Sequence, residues 1–179
     1  FTSHSLGVFL DGYNKERVDC EKIVMTSSNL VTTSSVFETM LIGDTYKIDE
    51  NKIKKIIPGV DKKIFIPDSS VKKENIILSI GRIQKQKGQI QTLEFLNNFK
   101  KIEKDFKCYF IGGPSGKNGN EYLNELKQSV EEFNLNTHVE FLDNLPQTEI
   151  IDLFKKAKLM IHTSQFETFG LVAIEANAM

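Results

Sequence analysis

Cysteine is scarce in this chain of 179 residues, which contains only Cys20 and Cys108. The two lie far apart and show neither metal-binding nor redox spacing, so a disulfide framework is excluded and two reduced thiols are predicted. Long apolar runs are also missing, since no stretch approaches the length of a membrane span and no signal peptide is visible. We therefore expect a cytoplasmic protein without a transmembrane segment, while peripheral contact with a membrane is left open.

An excess of charge of one sign is absent as well. The formal net charge is -1, with 23 Lys and Arg against 24 Asp and Glu. A nucleic-acid-binding protein normally carries a basic stripe, so no nucleic-acid partner is expected. Acidic residues are interleaved with the lysines, as in residues 100–105, which is typical of a solvated face. Hydrophobic residues make up 40% of the chain, which is ordinary globular usage and predicts a packed core.

From residue 75 onward, short apolar runs alternate with segments of helical periodicity. The predicted strands span 75–80, 108–111, 138–142 and 159–162. The predicted helices begin near residues 88, 122, 146 and 169. Consecutive strand–helix units indicate an α/β fold in which helices cover both faces of a parallel sheet. Ligands of such sheets bind outside the carboxyl ends of the strands, at the loops that here begin at Gly81, Gly112, Asp143 and Thr163.

The first 74 residues are less regular. A helix is predicted from about Lys15 to Met25, with strands at 30–33 and at 53–57. A polar segment containing Pro67 predicts a linker. The predicted organisation is a first domain at 1–61, a linker at 62–74 and a second domain at 75–179. Because the chain begins with Phe and stops within a helical pattern, we expect both domains to be incomplete parts of a longer protein.

One candidate site is the loop 81–88, Gly-Arg-Ile-Gln-Lys-Gln-Lys-Gly, between a predicted strand and a predicted helix. The guanidinium of Arg82, the ammonium of Lys87 and the positive end of the helix all favour phosphate oxygens. The loop lacks the glycine-rich run and terminal Lys-Ser/Thr of a nucleotide P-loop. Taken alone, these residues leave a diphosphate clamp and a basic surface turn equally open.

A second candidate site lies in residues 165–176. Glu167 follows the last predicted strand, and Glu175 lies eight positions later on the next helix. The backbone N–H groups of Phe169, Gly170 and Leu171 are predicted at the start of that helix, where an anion is favoured. Carboxylates at such a site can accept hydrogen bonds from sugar hydroxyls. The alternative is a capping carboxylate and a solvated glutamate, although the apolar neighbours of Glu175 fit a solvated face poorly.

These two segments resemble the motifs of retaining glycosyltransferases of the group that includes sucrose-phosphate synthase, sucrose synthase and bacterial glycogen synthase. Three earlier segments agree in order: 2–7 is similar to a His-Ser-Leu-Gly loop, 32–34 to a strand-end serine, and 56–61 to the Ile-Pro-Asn-Gly-Val-Asp segment between the domains. The chain departs from the family where that Asn is missing and where Asp143 replaces a usual glycine. The resemblance implies a GT-B fold, with a truncated Rossmann-like nucleotide-sugar-binding domain preceded by the last part of an acceptor-side Rossmann-like domain.

The resemblance also implies an activity, the transfer of a hexosyl group from a UDP-glucose-like nucleotide sugar to a sugar or sugar-phosphate acceptor. Arg82 and Lys87 would hold the diphosphate, Glu167 would lie beside the transferred sugar, and His4 would contact its hydroxymethyl group. Glu175 would bind the ribose, and residues 141–145 would lie near the base. The remaining donor-binding residues would be Gly81, Gly112, Gly113, Phe169, Gly170 and Leu171.

Neither a metal nor another cofactor is expected, because no Asp-x-Asp pair occurs and the nucleotide sugar is itself a substrate. His138 and His162 are expected to be ordinary strand residues. Two alternatives come from other classes: a GT-B-fold sugar-nucleotide epimerase, and a non-catalytic nucleotide-binding fragment. Since most of the acceptor-side domain is missing, we expect the fragment alone to be inactive. The sugar, the base, the acceptor and the oligomeric state are left open.

Overall fold

The computed structural model describes residues 1–2, 6–9 and 15–179. Contacts divide the chain into two compact units. Unit 1 comprises Phe1–Gly59 and Phe166–Leu171, and unit 2 comprises Val60–Gln165 and Val172–Met179. None of the helices in the described ranges combines the length and apolar character that a membrane span requires.

Unit 1 is built from two helices and a pair of short strands. These elements are α1 (Lys15–Ser27), β1 (Val31–Thr33), α2 (Val36–Tyr46) and β2 (Ile53–Lys55). The strands pair in parallel, which requires a crossover such as α2 between them. The core of the unit contains buried apolar residues from the segment before α1, from both helices, from β1 and from the segment after α2, namely Leu6, Val18, Met25, Val31, Ile42, Tyr46 and Ile48.

Helix α2 was missing from the sequence-based prediction, although the sequence carries a signal for its start. The Ser35 side chain caps the helix by accepting a hydrogen bond from the backbone N–H of Glu38. Ser-x-x-Glu is the signature of a capping box, in which the two side chains pair with backbone N–H groups at the helix start. The Glu38 carboxylate here accepts from the N–H of Ser34, one residue before the cap, at 2.6 Å.

Unit 2 is a four-stranded parallel sheet covered by helices. Its elements are β3 (Glu74–Ile80), α3 (Gln89–Phe99), β4 (Lys107–Ile111), α4 (Gly119–Glu132), β5 (Val139–Leu142), α5 (Gln147–Lys156) and β6 (Ala157–Met160). A last helix, α6 (Leu171–Asn177), begins at the final residue of the unit 1 segment and continues in unit 2. The strand order is β5-β4-β3-β6. Strands β4 and β5 are added on one side of β3 and β6 on the other, so the order reverses between β3 and β6.

Burial of both faces of the sheet explains the apolar run from Ile76 to Leu78 in β3. Ile77 joins a core cluster with Leu93 and Leu96 of α3, whereas Ile76 and Leu78 join a second cluster. Successive side chains of a strand point to opposite faces, and both faces are covered here, so polar residues are not needed on either. Within the predicted linker, Phe65 is 5% exposed and packs in the second cluster. The predicted domain limits stay predictions.

His138 and His162 do not lie in strands, so their expected placement is wrong. His138 lies in the turn before β5, at the end of the sheet opposite the candidate loops, where its Nε2 contacts the Lys104 carbonyl oxygen at 3.1 Å. Strand β6 begins two residues earlier than predicted because the backbone becomes extended directly at Ala157, the C-cap of α5. His162 therefore follows the strand and is exposed.

Candidate functional site

The loop after β3 is held against the loop after β4 by backbone hydrogen bonds. The N–H of Gly81 donates to Ile111 at 2.9 Å, and the N–H of Ile83 donates to Gly113 at 3.0 Å. The N–H of Ser115 returns a bond to the carbonyl of Ile83. These bonds continue the parallel pairing of β3 and β4 beyond the ends of the strands. The two predicted loops therefore form one continuous surface at the carboxyl edge of the sheet.

Three of the predicted site residues meet closely on this surface. Gly112 has a φ of +134°, and a Cβ added there would lie 2.4 Å from the carbonyl oxygen of Gly81. Only glycine permits that approach. Lys87 lies on the same surface, since its Cδ is 4.0 Å from the place of a Cβ on Gly81. The half-buried Lys87 and the two glycines thus come together on this surface.

Arg82 presents an exposed side chain beside this cluster. In the described part of the chain, no carboxylate forms an ion pair with its guanidinium. Its peptide is fixed, however, because the carbonyl of Arg82 accepts a 2.8 Å hydrogen bond from the side-chain amide of Gln89. A guanidinium without an acidic partner on a fixed backbone is suited to binding an anion such as a diphosphate.

The loop after β6 contacts the loop after β3. The hydroxyl of Thr163 donates to the carbonyl of Gly88 at 2.7 Å, and the N–H of Gln165 donates to the carbonyl of Gln86 at 2.8 Å. Gly88 has a left-handed φ of +68°, and a Cβ there would lie 2.1 Å from the Thr163 carbonyl oxygen. Because the strand order reverses between β3 and β6, these loops border the crevice where open α/β sheets bind ligands.

The loop after β5 closes the other side of this surface through Asn144. The side-chain carbonyl of Asn144 accepts from the N–H of Gly113 at 3.2 Å. The carboxylate of Asp143 accepts a hydrogen bond from the N–H of Asn144 at 2.7 Å. A Cβ on Gly113 would lie 2.8 Å from the Asp143 carboxylate, so this carboxylate borders the predicted pocket floor.

Glu175 lies on α6 between residues that pack on the sheet, Val172 and Ala176. Its side chain is half-buried, and burial raises the pKa of the carboxyl above its usual value. No donor contacts it within the described residues. A partly desolvated carboxylate without donors is unfavourable, and hydroxyl donors from a ligand would relieve that penalty.

Glu167, Phe169, Gly170 and Leu171 belong to the unit 1 segment 166–171. Helix α6 begins at Leu171, two residues later than predicted, so Glu167 lies in the loop before it and is half-buried. The carbonyl of Thr168 accepts a 3.3 Å hydrogen bond from the hydroxyl of Ser34, which follows β1. The strand-end serine singled out in the sequence therefore contacts the backbone beside Glu167.

His4 lies outside the described residues. The nearby Gly7 is held firmly in unit 1, because its N–H donates to the Glu21 carboxylate at 3.0 Å. Glu21 also accepts hydrogen bonds from Arg17 and from the hydroxyl of the buried Tyr46. Burial raises the pKa of Glu21, but the bonds from Tyr46, Arg17 and Gly7 outweigh it, so the pKa is lowered overall.

Sequence reasoning missed Gln89 beside Arg82, and it missed Glu21 and Tyr46 in unit 1. It identified the loop that begins at Thr163 and the segment 141–145 that contains Asn144, but not the contacts of these two side chains. Only Gln89 carries a recognisable signal. It shares the inward face of α3 with Leu93 and Leu96, where a polar residue is unexpected. The contacts of Glu21, Tyr46, Asn144 and Thr163 involve partners that are remote in the sequence, so no local pattern identifies them.

Known proteins resemble this chain in sequence. Residues 61–179 match the family described as glycosyl transferases group 1. The chain is 27% identical over 175 residues to a D-inositol 3-phosphate glycosyltransferase of Acidothermus cellulolyticus, covering 90% of this chain and 39% of that protein. It is 26% identical over 178 residues to a mannosylfructose-phosphate synthase of Agrobacterium fabrum, covering 92% of this chain and 39% of that protein.

Solved structures show the same fold. Anabaena HepE, solved in complex with UDP and glucose, superposes with a TM-score of 0.84 at 18% identity, over 99% of this chain and 50% of that chain. Sucrose-phosphate synthase from Thermosynechococcus elongatus gives a TM-score of 0.80 at 25% identity, over 98% of this chain and 46% of that chain.

These comparisons bear on both the fold and the family. The chain spans 39% of each of the two curated relatives and about half of the solved chains. The predicted fold class, α/β of the GT-B type, is confirmed. The family profile covers well over half of the chain and includes the loop of Arg82 and Lys87 and the segment from Glu167 to Glu175. The predicted family is therefore confirmed, and the chain belongs to the glycosyl transferases group 1 family.

Proposed function

We propose that the whole protein is a retaining glycosyltransferase that moves a hexosyl group from a nucleoside-diphosphate sugar to a sugar or sugar-phosphate acceptor. The observation that carries this proposal is the meeting of Gly81, Arg82, Lys87 and Gly112 at the carboxyl edge of the sheet. Names of similar proteins support the substrate classes, since HepE was solved with UDP and glucose and a relative is a mannosylfructose-phosphate synthase. A UDP-glucose-like donor is therefore our first choice.

In the proposed reaction, the bond between the anomeric carbon and the diphosphate breaks while the acceptor hydroxyl forms a new bond on the same face. The departing phosphate oxygen takes the proton of that hydroxyl. Arg82 and Lys87 stabilise the negative charge that develops on the diphosphate, a role that preorganised cations perform well. Because these side chains supply the positive charge, the proposal requires neither a metal nor another cofactor.

The other predicted residues have separate roles in this proposal. Glu175 accepts hydrogen bonds from the ribose hydroxyls, and the backbone around Gly170 contacts the sugar and phosphate. Glu167 lies beside the transferred sugar, and His4 contacts its hydroxymethyl group. The cytoplasmic location expected from the sequence and a role in carbohydrate metabolism belong to the same proposal.

The diphosphate clamp is tested by comparing UDP with uridine in calorimetric titrations. Arg82→Ala and Lys87→Ala should each weaken UDP binding, because each removes a charge-assisted contact of about 1.5–3 kcal/mol. Uridine binding should change little. Lys85→Ala is a matched control, since Lys85 lies in the same loop but its ammonium group pairs with Glu125 at 3.2 Å. Equal losses for UDP and uridine would show that the clamp is wrongly assigned.

A non-catalytic nucleotide-binding role is the second candidate, and the short span of the chain relative to its relatives favours it for this chain alone. A glycosyltransferase and a non-catalytic nucleotide-binding protein would both bind UDP, so a measurement of glycosyl transfer distinguishes the two proposals. Transfer from a panel of nucleotide sugars to sugar and sugar-phosphate acceptors should be measurable for the whole protein. The 179-residue chain should give no more than trace transfer.

A further inference from the structure

Gln89 is a buried polar residue at the first position of α3. Its side chain is 3% exposed and lies on the helix face of Leu93 and Leu96, which belong to the core. An apolar side chain at this place would avoid the penalty of removing an amide from water. The presence of glutamine therefore needs an explanation other than packing.

The hydrogen bonds of the Gln89 amide supply that explanation. Its Nε2 donates to the carbonyl of Arg82 at 2.8 Å. Its Oε1 is buried and has no hydrogen-bond partner among the described residues. An unpaired buried acceptor is unfavourable. Within the described residues, the bond to Arg82 is thus the one polar interaction of this side chain that offsets its desolvation.

This bond completes the fixation of the Arg82 backbone. On either side, the N–H groups of Gly81 and Ile83 are held by the loop after β4. Gln89 holds the intervening carbonyl from the opposite direction, through α3. The exposed guanidinium of Arg82 therefore extends from a backbone that is fixed before any ligand arrives.

We infer that Gln89 is a positioning residue for Arg82, presenting its guanidinium to the diphosphate of the donor. This inference rests on the proposed diphosphate role of Arg82. Fixing a binding group before the ligand arrives improves affinity, because less conformational freedom is lost on binding. Gln89 contributes in this way without contacting the nucleotide.

Gln89→Met tests the inference in the whole protein, because methionine nearly keeps the length and volume of glutamine but removes its amide. Calorimetric titrations with UDP and with uridine give the affinity gained from the diphosphate. Gln89→Met should reduce this gain by about 3- to 10-fold, the effect of one hydrogen bond, and leave uridine binding unchanged. If Gln89→Met does not fold, Gln89→Asn replaces it, because asparagine keeps a polar side chain at this position. Asparagine is one methylene shorter and should lose the bond to Arg82, so it should weaken UDP binding in the same way.

Gln128→Met is the control for the chemistry of the substitution. Gln128 is exposed on α4, and in the part of the chain that the structure describes its amide bonds only to Glu132 of the same helix, at 2.8 Å. This variant should bind UDP as the unmodified protein does. A change as large as that of Gln89→Met would overturn the inference.

A double-mutant cycle with Arg82→Ala distinguishes positioning from general damage. In the Arg82→Ala background, Gln89→Met should have no further effect on the affinity for UDP relative to uridine. An equal effect in both backgrounds, or equal losses for UDP and uridine, would overturn the inference. If Arg82→Ala weakens UDP binding and Gln89→Met does not, the positioning role of Gln89 is wrong, but the diphosphate-binding role of Arg82 is retained. If Arg82→Ala itself has no effect on UDP binding, both roles are wrong.

Discussion

The Glu21 carboxylate should be a main determinant of the stability of unit 1. It joins three segments, since it accepts hydrogen bonds from the N–H of Gly7, from Arg17 of α1 and from the hydroxyl of Tyr46 at the end of α2. The Glu21 side chain is 12% exposed, whereas that of Arg17 is 40% exposed. The bonds to Gly7 and Tyr46 therefore matter most, because solvent weakens the ion pair.

Glu21→Gln is the appropriate perturbation, since it keeps the shape and removes the charge. The amide retains one acceptor oxygen but turns an NH2 group toward groups that are themselves donors. The N–H of Gly7 lies 3.0 Å from both carboxylate oxygens and can keep an acceptor, whereas either Arg17 or Tyr46 loses its acceptor, and the remaining bonds lose their charge. A hydrogen bond to a charged group contributes about 1.5–3 kcal/mol, and an unpaired buried donor is penalised by about 1–3 kcal/mol. We expect the free energy of unfolding to fall by about 2–4 kcal/mol.

Urea denaturation followed by circular dichroism measures this loss. Asp19→Asn is the matched control, because Asp19 is exposed on the same helix and its substitution should change stability by less than about 0.5 kcal/mol. Tyr46→Phe should be destabilising alone but should not add fully to Glu21→Gln, since both substitutions act on the hydrogen bond between these two side chains. If Glu21→Gln is no more destabilising than Asp19→Asn, the carboxylate does not hold these segments together.

The pH dependence provides an independent check with a defined sign. The pKa of Glu21 is lowered in the folded state, so the unfolded chain binds a proton more readily at acidic pH. Its contribution to stability is complete above the ordinary glutamate pKa, about 4.3, and is lost as pH falls through the lowered value. The difference in stability between the unmodified protein and Glu21→Gln should therefore shrink in acid. A difference that stays constant would contradict the assignment.

Three further predictions concern the donor site. Glu175→Gln should weaken UDP binding without unfolding the protein. In the unmodified protein, UDP affinity should fall as pH decreases through the raised pKa of Glu175, because a proton competes with the ribose hydroxyls. Titrations of both proteins with UDP across pH test these two expectations. Gly88→Ala should destabilise unit 2, since its Cβ would lie 2.1 Å from the carbonyl of Thr163, and thermal unfolding should show this. Glu167→Gln should reduce turnover of the whole protein more than it weakens UDP binding, and equal effects on both would contradict its place beside the sugar.

Local signals in the sequence determined much of the secondary structure. The apolar run before Gly81 predicted β3, and helical periodicity predicted α3, because each pattern reflects which faces of an element are buried. The same reasoning placed Arg82 and Lys87 in one loop between a strand and a helix. It missed α2, whose start depends on the Ser35 cap, and it placed β6 two residues late, because no turn residue separates α5 from this strand.

Only the tertiary structure decided which distant residues meet. Thr163 contacts Gly88, 75 positions away, because β6 lies beside β3 rather than beside β5. Strand order is not encoded in the apolar pattern of any single strand, since that pattern reflects which side chains are buried and not which strand lies beside it. The folded structure likewise decides the contact of Gln89 with Arg82 and the contacts of Glu21 with Gly7 and Tyr46, because these depend on the positions of the side chains after packing. A local pattern records whether a residue is buried, and the folded chain alone determines its partner.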